Sequence, residues 1–364
     1  MSRYYLSLEM CLGWLLNHFF PWRFVEAQYQ KARSAFDRYR LSNRREDLQD
    51  ALDSYYRAYK DSGEEHNQYP SIIVNYAIAL HLFNQRFGAE NGQSAEVIKL
   101  FNQSLEIWNK KNPRPKNYPT VLINLGNVYM DEYRKTTNPE LAKLAIEQYN
   151  KARNVEDLAI TNETRIKSLI GSATATWTLC ELDRTNGRDE DLSATIIHLN
   201  DALALCDERP DWRALCYQNL ASCHDVLYQR HQDRIADLDA AIAFNKDALE
   251  INHDHAPTLF NLSKQYFARH AATEVDTTGR DEFLRQAEEV AKAARQLAEQ
   301  GRTPAGLGVQ IGALQQRIRV YISRGDTMNS TTSMEFPAET SRRRQIPHRP
   351  SLPSDPEQMG RRTR

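Results

Sequence analysis

Residues 123–152 read INLGNVYMDEYRKTTNPELAKLAIEQYNKA, which consists of two apolar segments joined by a short polar connector. In both segments small or apolar residues recur at intervals of three and four, the spacing of one helix face. The second segment places Ala145, Tyr149 and Ala152 on that face. The connector RKTTNPEL contains Asn and Pro, which favour a turn. The stretch therefore predicts two antiparallel helices packed face to face.

The pattern of the second helix occurs six times along the chain. A small residue recurs near the end of an amphipathic helix at spacings of 46, 48, 50, 46 and 46 residues. These small residues are Ala58, Ser104, Ala152, Ala202, Ala248 and Ala294. Seven positions earlier stand Ala51, Val97, Ala145, Thr195, Ala241 and Ala287, and three positions earlier stand Tyr55, Phe101, Tyr149, Leu199, Asn245 and Ala291. Six recurrences in phase predict a helical repeat array.

Each second helix is preceded by a first helix that also carries a small residue. Five of these can be aligned on Ala77, Gly126, Ala173, Ala221 and Ser263. Small residues on facing helices let two backbones approach closely, as a tight antiparallel pair requires. The first helix of repeat one is predicted over residues 24–40, and a closing helix over residues 306–323. The repeat domain is accordingly predicted over residues 24–324.

The stretch quoted above resembles the tetratricopeptide repeat. Leu125-Gly126-x-x-Tyr129 matches the signature of its first helix, and Ala145-x-x-x-Tyr149-x-x-Ala152 matches that of its second. The unit is longer than the usual repeat of about 34 residues, and its extra length lies between the two helices. Longer units of this kind are similar to those of fungal repeat proteins, including the recognition arms of NACHT-type and caspase-like receptor proteins. The resemblance implies an all-α, right-handed solenoid of about six helix pairs that binds a peptide or a protein.

The resemblance also implies where the partner binds, because the first helices of this family line a concave groove. The implied groove residues are His81, Asn127, Asp131, Lys167, Thr174, Trp177, Gln218, Asp225, Lys264 and Phe267. Trp177 and Phe267 are the expected anchors, since large aromatic side chains carry much interface energy. The alternative for both is packing between repeats. The positions that hold basic residues in chaperone-tail clamps carry Val74, Ile123, Ile170, Gln218 and Phe260 here, so such a clamp is not predicted.

Catalysis and cofactor binding have no motif in this sequence. GxSxG, HExxH, GxGxxG and GxxxxGK[ST] are all absent. One cluster, His253-Asp254-His255, invites a metal interpretation, but it precedes Ala256-Pro257 where a turn is expected. The five cysteines form no CxxC pair and are predicted to be reduced core residues; they are Cys11, Cys180, Cys206, Cys216 and Cys223. We therefore predict a non-enzymatic protein with no metal and no cofactor.

The two ends of the chain differ from the repeats. Residues 1–23 contain an apolar run over residues 4–20, which is shorter than the roughly 20 residues of a membrane span. It predicts a hydrophobic N-terminal helix, the one segment expected to contact a membrane if any does. Residues 325–364 are rich in Ser, Thr, Pro and Arg and predict a disordered tail. Its Arg342–Arg344 cluster is a nuclear-import signal, a phosphate-binding patch or part of a solvated basic tail.

The function predicted from these features is a cytoplasmic scaffold that binds a protein or peptide. The 47 basic and 48 acidic residues nearly cancel, so no nucleic-acid partner is expected. Two alternatives remain. One is an accessory subunit that docks on a membrane or a larger complex through its N-terminal helix. The other is a recognition arm related to the fungal receptors.

Overall fold

The computed structural model describes residues 21–88, 93–111, 114–156, 158–182, 188–206, 209–274, 279–304 and 306–324. These ranges contain thirteen α-helices and no β-strand. The helices are α1 (Pro21–Ser42), α2 (Arg45–Asp61), α3 (Tyr69–Phe87), α4 (Gln93–Asn109), α5 (Tyr118–Thr136), α6 (Pro139–Arg153), α7 (Asn162–Leu182), α8 (Asp189–Ala204), α9 (Pro210–Arg230), α10 (Ile235–Ile251), α11 (Ala256–Ala272), α12 (Arg280–Glu299) and α13 (Leu307–Arg324). The predicted all-α repeat of helix pairs is confirmed.

The described helices fall into two compact units. The first unit comprises Met1–Glu132 and Asn154–Ala159, and thus holds α1 to α4 and most of α5. The second comprises Tyr133–Arg153 and Ile160–Arg364, and holds the last residues of α5 and the helices α6 to α13.

The ends of the repeat array follow the sequence pattern closely. Helix α1 is described from Pro21, where the described residues begin, and it includes the predicted range of residues 24–40. Helix α13 matches the predicted closing helix over residues 306–323. The apolar run over residues 4–20, Cys11 and the predicted tail over residues 325–364 lie outside the described residues.

The recurring face of the second helices forms the core of each unit. All eighteen side chains at the three recurring positions are buried, none more than 6% exposed. The small residues of the first helices are buried as well. In one pair, the Ser263 hydroxyl on α11 donates a hydrogen bond of 2.7 Å to the Ala287 carbonyl on α12. This contact shows how closely the two backbones approach, as the small residues predict.

Three second helices begin with an Arg-x-x-Asp motif that the sequence interpretation did not use. Arg44, Arg188 and Arg234 precede α2, α8 and α10, and each forms an ion pair with the aspartate three residues later, at 3.2, 3.1 and 2.7 Å. The aspartate is the third residue of its helix in each case. A negative charge there is favourable because the N-terminus of a helix carries partial positive charge. The motif therefore marks the start of these three helices and adds favourable charge there.

Candidate functional site

In the first unit, two of the predicted groove residues contact each other. His81 Nε2 on α3 lies 3.2 Å from Asp131 Oδ2 on α5, and each side chain is 16% exposed. The Gln85 amide donates to the same Asp131 oxygen and lies 3.1 Å from His81 Nε2. Asn127 is half-buried one turn before Asp131. Gln85 was missed by the sequence interpretation, although it stands one turn after His81.

In the second unit, Trp177 of α7 is a packing residue. Its side chain is 9% exposed and packs in a cluster with Leu220 and Val226 of α9. Its indole Nε1 donates a hydrogen bond of 2.9 Å to Asn219 Oδ1. The hydroxyl of Thr174, another predicted groove residue, donates to the same oxygen at 2.8 Å. These contacts agree with the alternative interpretation of Trp177 as a residue that packs between repeats. Its function as an anchor for a partner stays a prediction.

Phe267 of α11 has the same character as Trp177. It is 3% exposed, and its ring lies edge-on to Tyr321 of α13 with 5.6 Å between centroids. Lys264, one turn earlier, is half-buried, and its Nζ lies 5.7 Å from the ring centroid of Phe260, within cation–π range. Of the two predicted groove residues on α11, Lys264 is therefore more exposed to solvent than Phe267.

Lys167 and Gln218 are buried and held by their neighbours. Lys167 Nζ lies 2.6 Å from Glu163 Oε1 and 5.7 Å from the ring centroid of Trp212. Gln218 Nε2 lies 3.2 Å from His255 Nδ1, in the turn before α11. Both side chains therefore have polar partners within the second unit, and the charge of Lys167 is matched by a carboxylate.

The carboxylate of Asp225 on α9 is held by neutral amides. Gln229 Nε2 donates to Asp225 Oδ2 at 2.7 Å, and Gln265 Nε2 makes a longer contact of 3.4 Å with Oδ1. Gln265 is itself fixed, because its Oε1 accepts a hydrogen bond of 2.8 Å from Asn245 Nδ2. Burial, and then the charge of Asp225, raise the pKa of the nearby Tyr228 phenol. Asp225 is thus a half-buried, preoriented acceptor.

The sequence contained a signal for this arrangement. Asn245 occupies a recurring core position that carries an aromatic or aliphatic side chain in the other five repeats. A buried amide there requires a hydrogen-bond partner, and the partner is Gln265, which is only 2% exposed. Asn245, the one polar residue at this position of the repeat, therefore marks the place where α10 and α11 hold the Asp225 carboxylate.

Thiol and metal chemistry have little support in the described residues. Burial raises the pKa of the Cys180 thiol to about 11, and a hydrogen bond with Cys206, together with burial, raises that of Cys216. Thiols with raised pKa values stay protonated and are poor nucleophiles. Across the described ranges no group of three or more His, Cys, Asp or Glu is placed to hold a metal ion.

The predicted turn at residues 253–255 is confirmed. His253 and Asp254 are exposed between α10 and α11, and Asp254 forms an ion pair of 2.8 Å with Arg302. His255 directly precedes α11, and its Nδ1 is 2.7 Å from the Thr258 hydroxyl in the first turn of that helix. Among the thirteen described helices, none combines the length and the hydropathy that crossing a bilayer requires.

No protein-family model matches this chain, and no curated protein sequence does. Solved repeat structures resemble it. A tetratricopeptide repeat protein from Parabacteroides merdae is 12% identical with a TM-score of 0.46, covering 82% of this chain and 99% of its own. The RpL4 assembly chaperone Acl4 is 12% identical with a TM-score of 0.47, covering 80% and 97%. YrrB, described as a TPR protein with an unusual peptide-binding site, is 16% identical with a TM-score of 0.40, covering 68% and 100%. These resemblances concern the helical fold alone.

Proposed function

We propose that this chain is a non-catalytic scaffold of the cytoplasm that binds a protein or peptide through the polar side chains of its first helices. The observation that carries the proposal is the Asn245–Gln265–Asp225 series of hydrogen bonds in the second unit. The series holds a half-buried carboxylate in place through neutral amide groups, and the contacts described for Asp225 include no cationic side chain.

The chemistry of Asp225 favours a cationic partner group. Amide donors orient a carboxylate but leave its negative charge in place, and partial burial removes some of the water that would otherwise stabilise it. An arginine or lysine of a partner restores that stabilisation through a charge-assisted hydrogen bond, the strongest type available to a protein surface. The best-supported ligand is therefore a peptide segment that contains a basic residue.

The first unit also has a carboxylate of low exposure on a first helix, and this one contacts a histidine. Asp131 receives the amide of Gln85 and contacts His81, all on first helices. Each unit thus carries a low-exposure carboxylate contacted by glutamine on its first helices. The remaining predicted groove residues, Asn127, Thr174 and Lys264, are half-buried polar groups on the first helices.

Replacing Asp225 by asparagine is expected to reduce partner capture about tenfold or more while leaving the fold intact, because the charge is lost while the shape of the side chain and one acceptor oxygen are kept. The measurement is affinity capture from the source cell with quantitative mass spectrometry, at matched circular dichroism. Asp201→Asn is the control, since Asp201 is exposed on the second helix α8. Equal loss from both variants, or from neither, would argue against a first-helix binding face.

A further inference from the structure

The last turn of α6 in the second unit carries an arginine that has no counter-charge in the described part of the chain. Arg153 is half-buried, and its Nη1 is buried without a hydrogen-bond acceptor among the described residues. Burial lowers the pKa of this guanidinium, and no carboxylate of those residues counteracts the effect. Buried polar groups of proteins nearly always have a hydrogen-bond partner. The burial of Arg153 therefore calls for an acceptor that comes from outside the described chain.

The polar groups that precede Arg153 on α6 are engaged with other partners. Glu147 Oε1 lies 2.7 Å from Lys151 Nζ, so this carboxylate already has a cation. Asn150 Oδ1 accepts a hydrogen bond of 3.5 Å from the Ser172 hydroxyl on α7. The C-terminal end of a helix carries partial negative charge, which favours an arginine there. That effect does not supply an acceptor for the buried Nη1.

A histidine of α8 lies close enough to Arg153 to be affected by its charge. Burial, and then the charge of Arg153, lower the pKa of the half-buried His198, while the exposed Asp201 acts in the opposite direction. A histidine with a lowered pKa is neutral at neutral pH, and its ring then carries one N–H donor. Arg153 and His198 together therefore offer one full positive charge and one additional neutral donor.

An exposed apolar side chain adjoins these two groups. Ile197 directly precedes His198 and is 62% exposed, whereas Leu192 and Leu199 of the same helix are fully buried. A single exposed isoleucine is ordinary on a protein surface. Beside a guanidinium without an acceptor it has a use, because protein interfaces combine apolar contacts with charge-assisted hydrogen bonds. A free anion would gain nothing from Ile197, whereas a protein side chain and its neighbours would.

We propose that Arg153, His198 and Ile197 form a site for an acidic side chain of a partner protein, whose carboxylate binds the guanidinium and the imidazole N–H. The planar guanidinium can donate two parallel hydrogen bonds to a carboxylate. One positive charge matches one carboxylate, whereas a phosphate group carries nearly two negative charges at neutral pH. The site lies on the second helices α6 and α8 and does not depend on the proposed function, which rests on Asp225 of the first helix α9.

The test is an NMR titration of the full chain, labelled at its histidines, with a capped tripeptide of sequence leucine–glutamate–leucine at pH 7. We expect the His198 ring signals to shift and to saturate. The matched tripeptide with glutamine in place of glutamate should leave them unchanged. Arg153→Gln is expected to weaken binding of the acidic tripeptide about tenfold. Asp201→Asn should strengthen it several-fold, because a repelling charge is removed.

Small anions and further variants serve as controls. Sodium acetate should bind the same site about fivefold more weakly than the acidic tripeptide, because it makes no contact with Ile197. Ile197→Ser should remove most of that difference. Sodium chloride at equal ionic strength measures the effect of screening, and the exposed His253 supplies reference signals. Arg153→Gln should leave the urea midpoint unchanged or raise it, because a buried charge without a partner costs stability.

Two results would overturn the proposal. If the acidic tripeptide does not shift the His198 signals, or shifts them equally in Arg153→Gln, these residues do not form a carboxylate site. If acetate or sodium phosphate binds as tightly as the tripeptide, the site takes a free anion and not an acidic side chain of a protein. Neither result affects the capture experiment at Asp225, in which Asp201→Asn is not expected to lose the partner.

Discussion

Replacing Trp177 by alanine is expected to lower the free energy of unfolding of the second unit by about 3–5 kcal/mol, the usual cost of truncating a buried large aromatic side chain. The side chain is 9% exposed and packs between α7 and α9, so its removal leaves a cavity and an Asn219 oxygen with one donor fewer. Urea denaturation followed by circular dichroism measures the loss.

Trp177→Phe serves as the matched variant. It keeps an aromatic ring but removes the indole donor, while Thr174 still donates to Asn219, so the loss should be less than half of that for alanine. A different result would contradict this prediction. If Trp177→Ala abolishes partner capture and leaves the unfolding curve unchanged, Trp177 is a binding anchor and its packing does not contribute to stability.

Replacing Gly171 by alanine is expected to destabilise the second unit by about 1–3 kcal/mol, although alanine is ordinarily the better helix former. A Cβ at this position of α7 would lie 2.6 Å from Cε1 and 2.7 Å from Cζ of the Tyr149 ring on α6. Tyr149 is only 2% exposed, so relieving the contact requires a shift of packed side chains within the core. The measurement is again urea denaturation.

The control for Gly171 is another glycine in a helix. At Gly312 of α13 the nearest atom to an added Cβ is Arg295 Nη1, at 3.9 Å, so Gly312→Ala should stabilise the chain by up to about 1 kcal/mol. In the Gly171→Ala background, Tyr149→Leu should cost less than it does alone, because it relieves the contact. If the losses of unfolding free energy from the two substitutions simply add, Gly171 and Tyr149 are not in close contact, and this contact between α6 and α7 is contradicted.

The fold was predictable from the sequence because each helix pair repeats the same small residues in phase. The predicted core positions, such as Ala152 and Ala202, are all buried, and the predicted first and closing helices lie within three residues of the observed ones. Periodicity reports which side of a helix is buried, and that is sufficient to pair the helices within a repeat.

The candidate site was less predictable, because periodicity does not report what a side chain contacts. The family pattern placed Trp177 and Asp225 on the same kind of position, four residues after the small residue of the first helix. The structure buries Trp177 between helices and leaves Asp225 half-buried beside two amides. Gln265, which contacts Asp225, comes from the next helix pair, and Asn245, which holds Gln265, comes from the helix that follows Asp225; contacts of this kind are not visible in the periodicity.

Photo-crosslinking at two lysine positions of the second unit tests directly whether partners bind on the first helices. Lys264 is half-buried on the first helix α11, and Lys246 is exposed on the second helix α10. A photoreactive amino acid is placed at either position in the full chain, and adducts formed in the source cell are identified by mass spectrometry. We expect covalent adducts with a partner protein from position 264 and none from position 246. Adducts from position 246 alone, or from neither position, would contradict it.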